Sequence, residues 1–150
     1  MKDDKMNNFY AEFSALLGYG RNLALLLPRW VVAFAFLGPL SMKIGNLPET
    51  GIWFGELGIP FPHFFAYLVT GVEAIGIVLL AAGLMTRMVS AVLSIIMIVA
   101  ILTVHLHHGF SAASRGFELP LYYLLFFFIL MTFGAGKYSL DHLLFSRKKI

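Results

Sequence analysis

Residues 68–83 read LVTGVEAIGIVLLAAG, a run in which every residue but one suits the interior of a lipid bilayer. The exception, Glu73, sits near its middle. A carboxylate in hydrocarbon is costly to ionise, so such groups face a bundle interior or a water-filled cavity and pair with one another or with cations. On a helix, Ala66, Thr70, Glu73, Gly76, Leu80 and Gly83 follow one another at spacings of three or four and form one stripe of mostly small residues. Small residues mark the faces on which membrane helices approach closely. The spacing therefore predicts that Glu73 faces other helices and not lipid.

The rest of the chain has the same character. Of its 150 residues 59% are hydrophobic and only 13% charged, where a soluble domain carries about 25%. The reading is an integral membrane protein forming a single domain over residues 1–150, with no room for a separate soluble catalytic domain. With no cysteine, thiol–disulfide chemistry, iron–sulfur clusters and thiolate metal sites within the chain are excluded. The net charge of +3 is small and is concentrated in the tail SRKKI, residues 146–150. Such a tail suits anionic lipid headgroups; nucleic acid is not expected as a partner.

A helix needs about 20 apolar residues to cross the hydrocarbon core. Four stretches qualify: residues 23–42, 61–84, 88–106 and 119–136. The expected fold is all-α, a transmembrane four-helix bundle. Ala33-Phe34-Ala35 fits a small-x-small cleavage site, but Asp3, Asp4 and Glu12 precede the first span and Arg29 interrupts it, so it is read as a retained span rather than a signal peptide. Placing the N-terminus in the cytoplasm puts Lys2, Lys5, Arg21, Arg87, Lys137, Arg147, Lys148 and Lys149 inside and only Lys43 and Arg115 outside. Both termini are then cytoplasmic by the positive-inside rule, in a bacterial inner membrane. The tight turn LMTRM makes the second and third spans antiparallel neighbours. The longer first outer loop, residues 43–64, carries Trp53, Phe54, Leu57 and Ile59 and is expected to lie along the outer leaflet or dip into it. After the last span, YSLDHLLFSRKKI reads as a short interfacial helix with Ser139 as N-cap and Asp141 in its first turn.

Arg29 is the cation expected to pair with Glu73. Counted from the span ends at about 1.5 Å per residue, it lies about 9 Å deep and Glu73 about 16 Å, an axial gap a guanidinium can mostly cover. The bland readings stand beside this: Arg29 snorkelling to the headgroups, and Glu73 as a polar clamp between helices. Trp30 points to another face. A second constellation gathers at the outer ends of the spans: His63, His105, His107, His108 and Glu118. Imidazole suits several metals, but no tight ligand motif is present, so no metal is expected; a polar cap with His105 hydrogen-bonded to Glu118 is the better reading. Haem, which needs axial histidines on facing helices at similar depth, fits poorly. The aromatic run of the fourth span is read as lipid-facing packing, with Tyr122 and Tyr123 as interfacial anchors.

Several segments, in order, resemble the DoxX family of small bacterial membrane proteins: MKIG around Lys43, GIPFP at residues 58–62, GVEAIGIVLLAAGLMTR at 71–87, HLHHGF at 105–110 and GAGKYSLD at 134–141. The resemblance covers roughly residues 24–144. It implies a four-helix inner-membrane bundle associated with quinol oxidase, thiosulfate:quinone oxidoreductase or oxidative-stress complexes. It carries no agreed catalytic residues, so none is transferred. The functional expectation joins the two sources: a subunit of a quinone-linked membrane redox system in which Glu73, Arg29 and Thr70 line an intramembrane site. No intrinsic cofactor is expected, a quinone being the candidate, with a protein partner or a second copy of the chain in the membrane. The alternatives are a non-catalytic scaffold for a redox complex and, below it, a small transporter or lipid-binding protein.

Overall fold

The computed structural model describes residues 2–145, those before Phe9 by backbone alone. The described chain is helical without strands. A first helix, α1 (Lys2–Tyr19), ends at Gly20, and α2 (Arg21–Gly45), α4 (Pro62–Ala82) and α5 (Thr86–Ala100) follow as long apolar helices. The third of these runs on through a π-helical turn (Ile101–His105) and a 3-10 turn (Leu106–His108). These three are long and apolar enough to cross a membrane, and α6 (Glu118–Phe133) is a shorter apolar fourth. Its 16 residues reach about 24 Å at 1.5 Å per residue. The expected extension to Gly136 does not occur, because Gly134 leaves the helix at φ +77°. A six-residue helix, α7 (Leu140–Phe145), closes the described chain. The tail at residues 146–150, expected to meet lipid headgroups, lies outside the described residues.

Each of the four long helices turns one stripe inward. Val32, Phe36 and Leu40 of α2 meet Ile77 and Leu80 of α4, Val89 and Leu93 of α5, and Phe127 and Leu130 of α6. Phe36 is the hub of the aromatic packing, edge-on to Tyr123 at 5.5 Å and to Phe127 at 5.8 Å between ring centroids. The aromatic run of α6 is thus divided: Phe127 is buried, while Leu125 and Phe128 are exposed. Tyr123 is a packing residue, not a surface anchor. Outward stand large apolar side chains such as Trp30, Phe34, Ile75, Val78, Met88 and Ile95. In water such a surface would drive aggregation; in a bilayer it is the solvated face, so the molecule is a multi-pass membrane protein.

Two segments differ from the sequence expectation. The first connection is not an irregular loop: Leu47–Glu56 form α3, with proline in its first turn and Thr50, Gly51 and Phe54 buried against α4. Proline is well placed there because the first turn has no intrahelical use for its missing N–H. The segment before the first span, read only for its charges, is the helix α1, which leaves Phe9, Phe13, Leu16 and Leu17 exposed.

Candidate functional site

Ala66, Thr70, Glu73, Gly76, Ile77 and Leu80 form the buried face of α4, so the small-residue stripe faces the bundle. Gly76 is what lets α5 close on it: a Cβ there would lie 3.2 Å from Leu93 Cδ2. Glu73, 2% exposed, is held in this seam by a cation. That cation is Lys43. Its Nζ donates to Glu73 Oε1 at 2.8 Å and Oε2 at 2.7 Å. Lys43 belongs to the last turn of α2 and lies beyond the apolar run, where hydropathy assigns it to the outer connection. Its four-carbon stem reaches back into the bundle, and its side chain keeps 21% of its surface exposed against 3% for Glu73. The glutamate side chain is therefore dry, while the lysine side chain is partly exposed. One turn along α4, Thr70 Oγ1 is buried without a hydrogen-bond partner.

The expected Arg29–Glu73 pair does not form. Arg29, itself 2% exposed, turns the other way and donates from Nη1 to the Ala135 carbonyl at 2.9 Å and from Nη2 to the Tyr138 carbonyl at 2.7 Å. Its guanidinium packs on Gly83, where a Cβ would stand 2.6 Å from Nη1. From Gly83 to Glu73 is ten residues of α4, about 15 Å. The depth estimate fails because it counts Arg29 from the start of the apolar run. In the fold α2 begins at Arg21 and overhangs the end of α4, which puts Arg29 level with Gly83.

Around Arg29 the segment GAGKYSLD becomes a clasp. Gly134 and Gly136 have φ of +77° and +74°, turning the backbone so that the Ala135 and Tyr138 carbonyls face the guanidinium. Asn22 Oδ1 accepts from the Lys137 N–H at 3.1 Å. Ser139 caps α7 as its sequence suggests, Oγ accepting from the His142 N–H at 3.2 Å. Asp141 does more than sit in a first turn. Its carboxylate accepts from the Met85 and Thr86 N–H groups at 2.7 and 3.0 Å, so it caps α5, where the unpaired amides and the helix dipole favour an anion. Arg29 and Asp141 together tie α2, the α4–α5 turn and the last segment into one end of the bundle.

The residues expected to form an outer polar cap do not converge. His105 Nδ1–H donates to the Arg115 carbonyl at 2.7 Å and His108 Nδ1–H to the Val104 carbonyl at 2.9 Å. Glu118 does not accept from His105. Its Oε2 accepts from the Ala112 N–H at 2.8 Å and its Oε1 from the Tyr122 hydroxyl at 3.2 Å, which fixes the α5–α6 connection. His63 packs against Gly51 at the α3–α4 contact, and His107 is exposed. Among the described residues no group of three His, Asp or Glu side chains stands close enough to hold a metal ion.

The family model for DoxX matches residues 24–106, from the start of α2 to the π-helical end of α5, and so contains both Lys43 and Glu73. The chain belongs to the DoxX family. An uncharacterised protein of Haemophilus influenzae is 32% identical over 152 aligned residues, covering 96% of this chain and 91% of that protein. A Bacillus subtilis protein named "Putative oxidoreductase CatD" is 32% identical over 127 residues, covering 85% of this chain and 91% of the relative. A second uncharacterised H. influenzae protein is 33% identical over 132 residues. No solved structure matches the chain. The clasp residues 134–141 lie beyond the matched family segment, whereas its anchor, Arg29, lies within it.

Proposed function

We propose that this DoxX protein is a membrane subunit of a quinone-linked redox or oxidative-stress system in the bacterial inner membrane, both termini in the cytoplasm, with the Lys43–Glu73 pair as its proton-handling group. The observation that carries the reading is a carboxylate 2% exposed in the middle of an apolar helix, bonded through both oxygens to a lysine whose side chain is 21% exposed. A bound quinol would pass two electrons to an electron carrier on a partner subunit and release two protons. Glu73 would accept one of these protons from a hydroxyl presented to it, with Lys43 as the hydrogen-bonded cation beside it. Thr70 Oγ1, buried and unpartnered, is placed to hydrogen-bond a carbonyl or hydroxyl at the same level. Residues of this kind fit a quinone head. An apolar groove of about 220 Å³ along α2 and α4, lined by Trp30, Phe34, Leu37 and Ile77, fits an isoprenoid chain. Ile77 is one turn from Glu73. Arg29, expected to share this site, has its Nη1 and Nη2 hydrogen-bonded to the clasp, and its part in the reading passes to Lys43. The name of the B. subtilis relative supports an oxidoreductase association.

The test is the quinone content of protein purified gently from its native membrane. Near-stoichiometric quinone per chain, lost in Glu73→Gln and Lys43→Gln but kept in Arg115→Gln, is the expected result. Quinone no higher than in the surrounding lipid would refute the site. One observation favours a second reading, a non-catalytic scaffold: Lys43 saturates both oxygens of Glu73, as a register-fixing clamp would. On that reading the Lys43→Glu, Glu73→Lys exchange is tolerated in both stability and activity of the associated redox system.

A further inference from the structure

At the Gly83 end of the bundle a cleft of about 600 Å³ opens between the start of α2 and the clasp. Its lining joins the apolar side chains of Leu25 and Phe133 to the polar ones of Arg21, Lys137, Asn22 and Ser139. Arg21 stands over the Phe133 ring, its guanidinium carbon 6.0 Å from the centroid. The lining includes one carboxylate, Asp141, but both its oxygens already accept backbone N–H groups at the start of α5. Neither Arg21 nor Lys137 pairs with a carboxylate among the described residues, where the ion pair is Lys43–Glu73. Among the described residues the cleft thus sets two cations against one carboxylate, beside apolar side chains.

Its edges explain which anion. Gly18 brings the end of α1 to the cleft and His142 brings α7. Both helices carry exposed apolar side chains: Phe13, Leu16 and Leu17 on α1, and Leu143, Leu144 and Phe145 on α7. At a membrane surface, exposed apolar side chains of this kind are buried at the headgroup–acyl boundary. We propose that the cleft is a binding site for the phosphate headgroup of an anionic phospholipid, with Arg21 and Lys137 on the phosphate and the acyl chains leaving over the apolar faces of α1 and α7. A soluble phosphate ester offers the same charge but nothing to those faces. The volume lies within the range of small-ligand pockets. The site is ten residues of α4 away from Glu73 and stands whether or not a quinone binds there.

The experiment compares wild type with the Arg21→Gln/Lys137→Gln variant. Each is reconstituted in phosphatidylcholine nanodiscs containing a minor share of phosphatidylglycerol, and the lipid that stays on the chain after transfer to detergent is read by native mass spectrometry. Each basic residue at an anionic surface contributes roughly a fivefold factor in affinity. Wild type is expected to keep one phosphatidylglycerol, the double variant to hold it about thirtyfold more weakly, and Arg115→Gln, at the far end, to match wild type. Equal retention by the double variant, or equal retention of phosphatidylcholine, overturns the proposal. Displacement by excess glycerol phosphate assigns the cleft to a soluble ester and overturns the lipid. If the double variant does not fold, the charge-preserving Arg21→Lys/Lys137→Arg decides: retention of the lipid supports the site, and its loss overturns it.

Discussion

Two double-mutant cycles separate the two cations that compete for Glu73. Removing Lys43 as Lys43→Met leaves a carboxylate that is 2% exposed without the ammonium that bonds both its oxygens at 2.7–2.8 Å. Breaking one side of a buried pair costs about 3–5 kcal/mol, while replacing both sides with uncharged groups is often neutral or stabilising. The Lys43→Met/Glu73→Gln pair should therefore recover most of the loss, with a coupling energy of about 3 kcal/mol or more. Arg29 and Glu73 lie about 15 Å apart along the bundle, so Arg29→Met and Glu73→Gln should add to within about 0.5 kcal/mol. The assay is thermal unfolding in a fixed detergent, followed by circular dichroism. At about 2–4 °C per kcal/mol for a chain of this size, Lys43→Met should lower Tm by about 6–20 °C. Strong Arg29–Glu73 coupling with additive Lys43–Glu73 effects would refute the assignment of Lys43 and restore the pairing expected from sequence.

Other predictions concern the clasp. Gly83→Ala must place a Cβ at φ +70° and 2.6 Å from Arg29 Nη1, a conformation that alone costs about 1–2 kcal/mol; limited proteolysis should then cut within residues 134–141 faster than in wild type, and an unchanged rate would show that Arg29 does not depend on this approach. Asp141→Ala removes the cap of α5 and should cost about 0.5–2 kcal/mol, read as a lower Tm with amide exchange accelerating first at Met85 and Thr86; uniform acceleration along the chain would contradict a local cap.

The four apolar helices and the inward face of α4 were legible because both rest on local periodicity. An apolar run of bilayer length and a three-four spacing of small residues need no knowledge of the neighbours. The partner of Glu73 was not legible in that way. Lys43 falls just past the end of its apolar run, so a hydropathy reading hands it to a loop, whereas the helix continues to Gly45 and the side chain folds back. Arg29 was misjudged because its level depends on how far α2 overhangs α4, and its real acceptors are carbonyls more than 100 residues away. Carbonyls have no residue type and leave no mark in sequence. Helix α1 was available in principle: Phe9, Phe13, Leu16 and Leu17 recur at helical spacing, but the charges around them drew attention to topology instead. At the far end, His105 and Glu118 each bond within the α5–α6 connection, because backbone groups a few residues away are nearer than a side chain on the next helix.

The clasp also sets an order of events during synthesis. Arg29 is among the first residues of the bundle to leave the ribosome, and the carbonyls that receive it belong to Ala135 and Tyr138, among the last. Until those are made, the guanidinium in α2 needs other acceptors, water or headgroups, because an unpaired buried charge is costly. The bundle locks at this end only once residues 134–141 have been made. A chain that stops before residue 134 would hold all four apolar helices yet lack both acceptors of the Arg29 guanidinium.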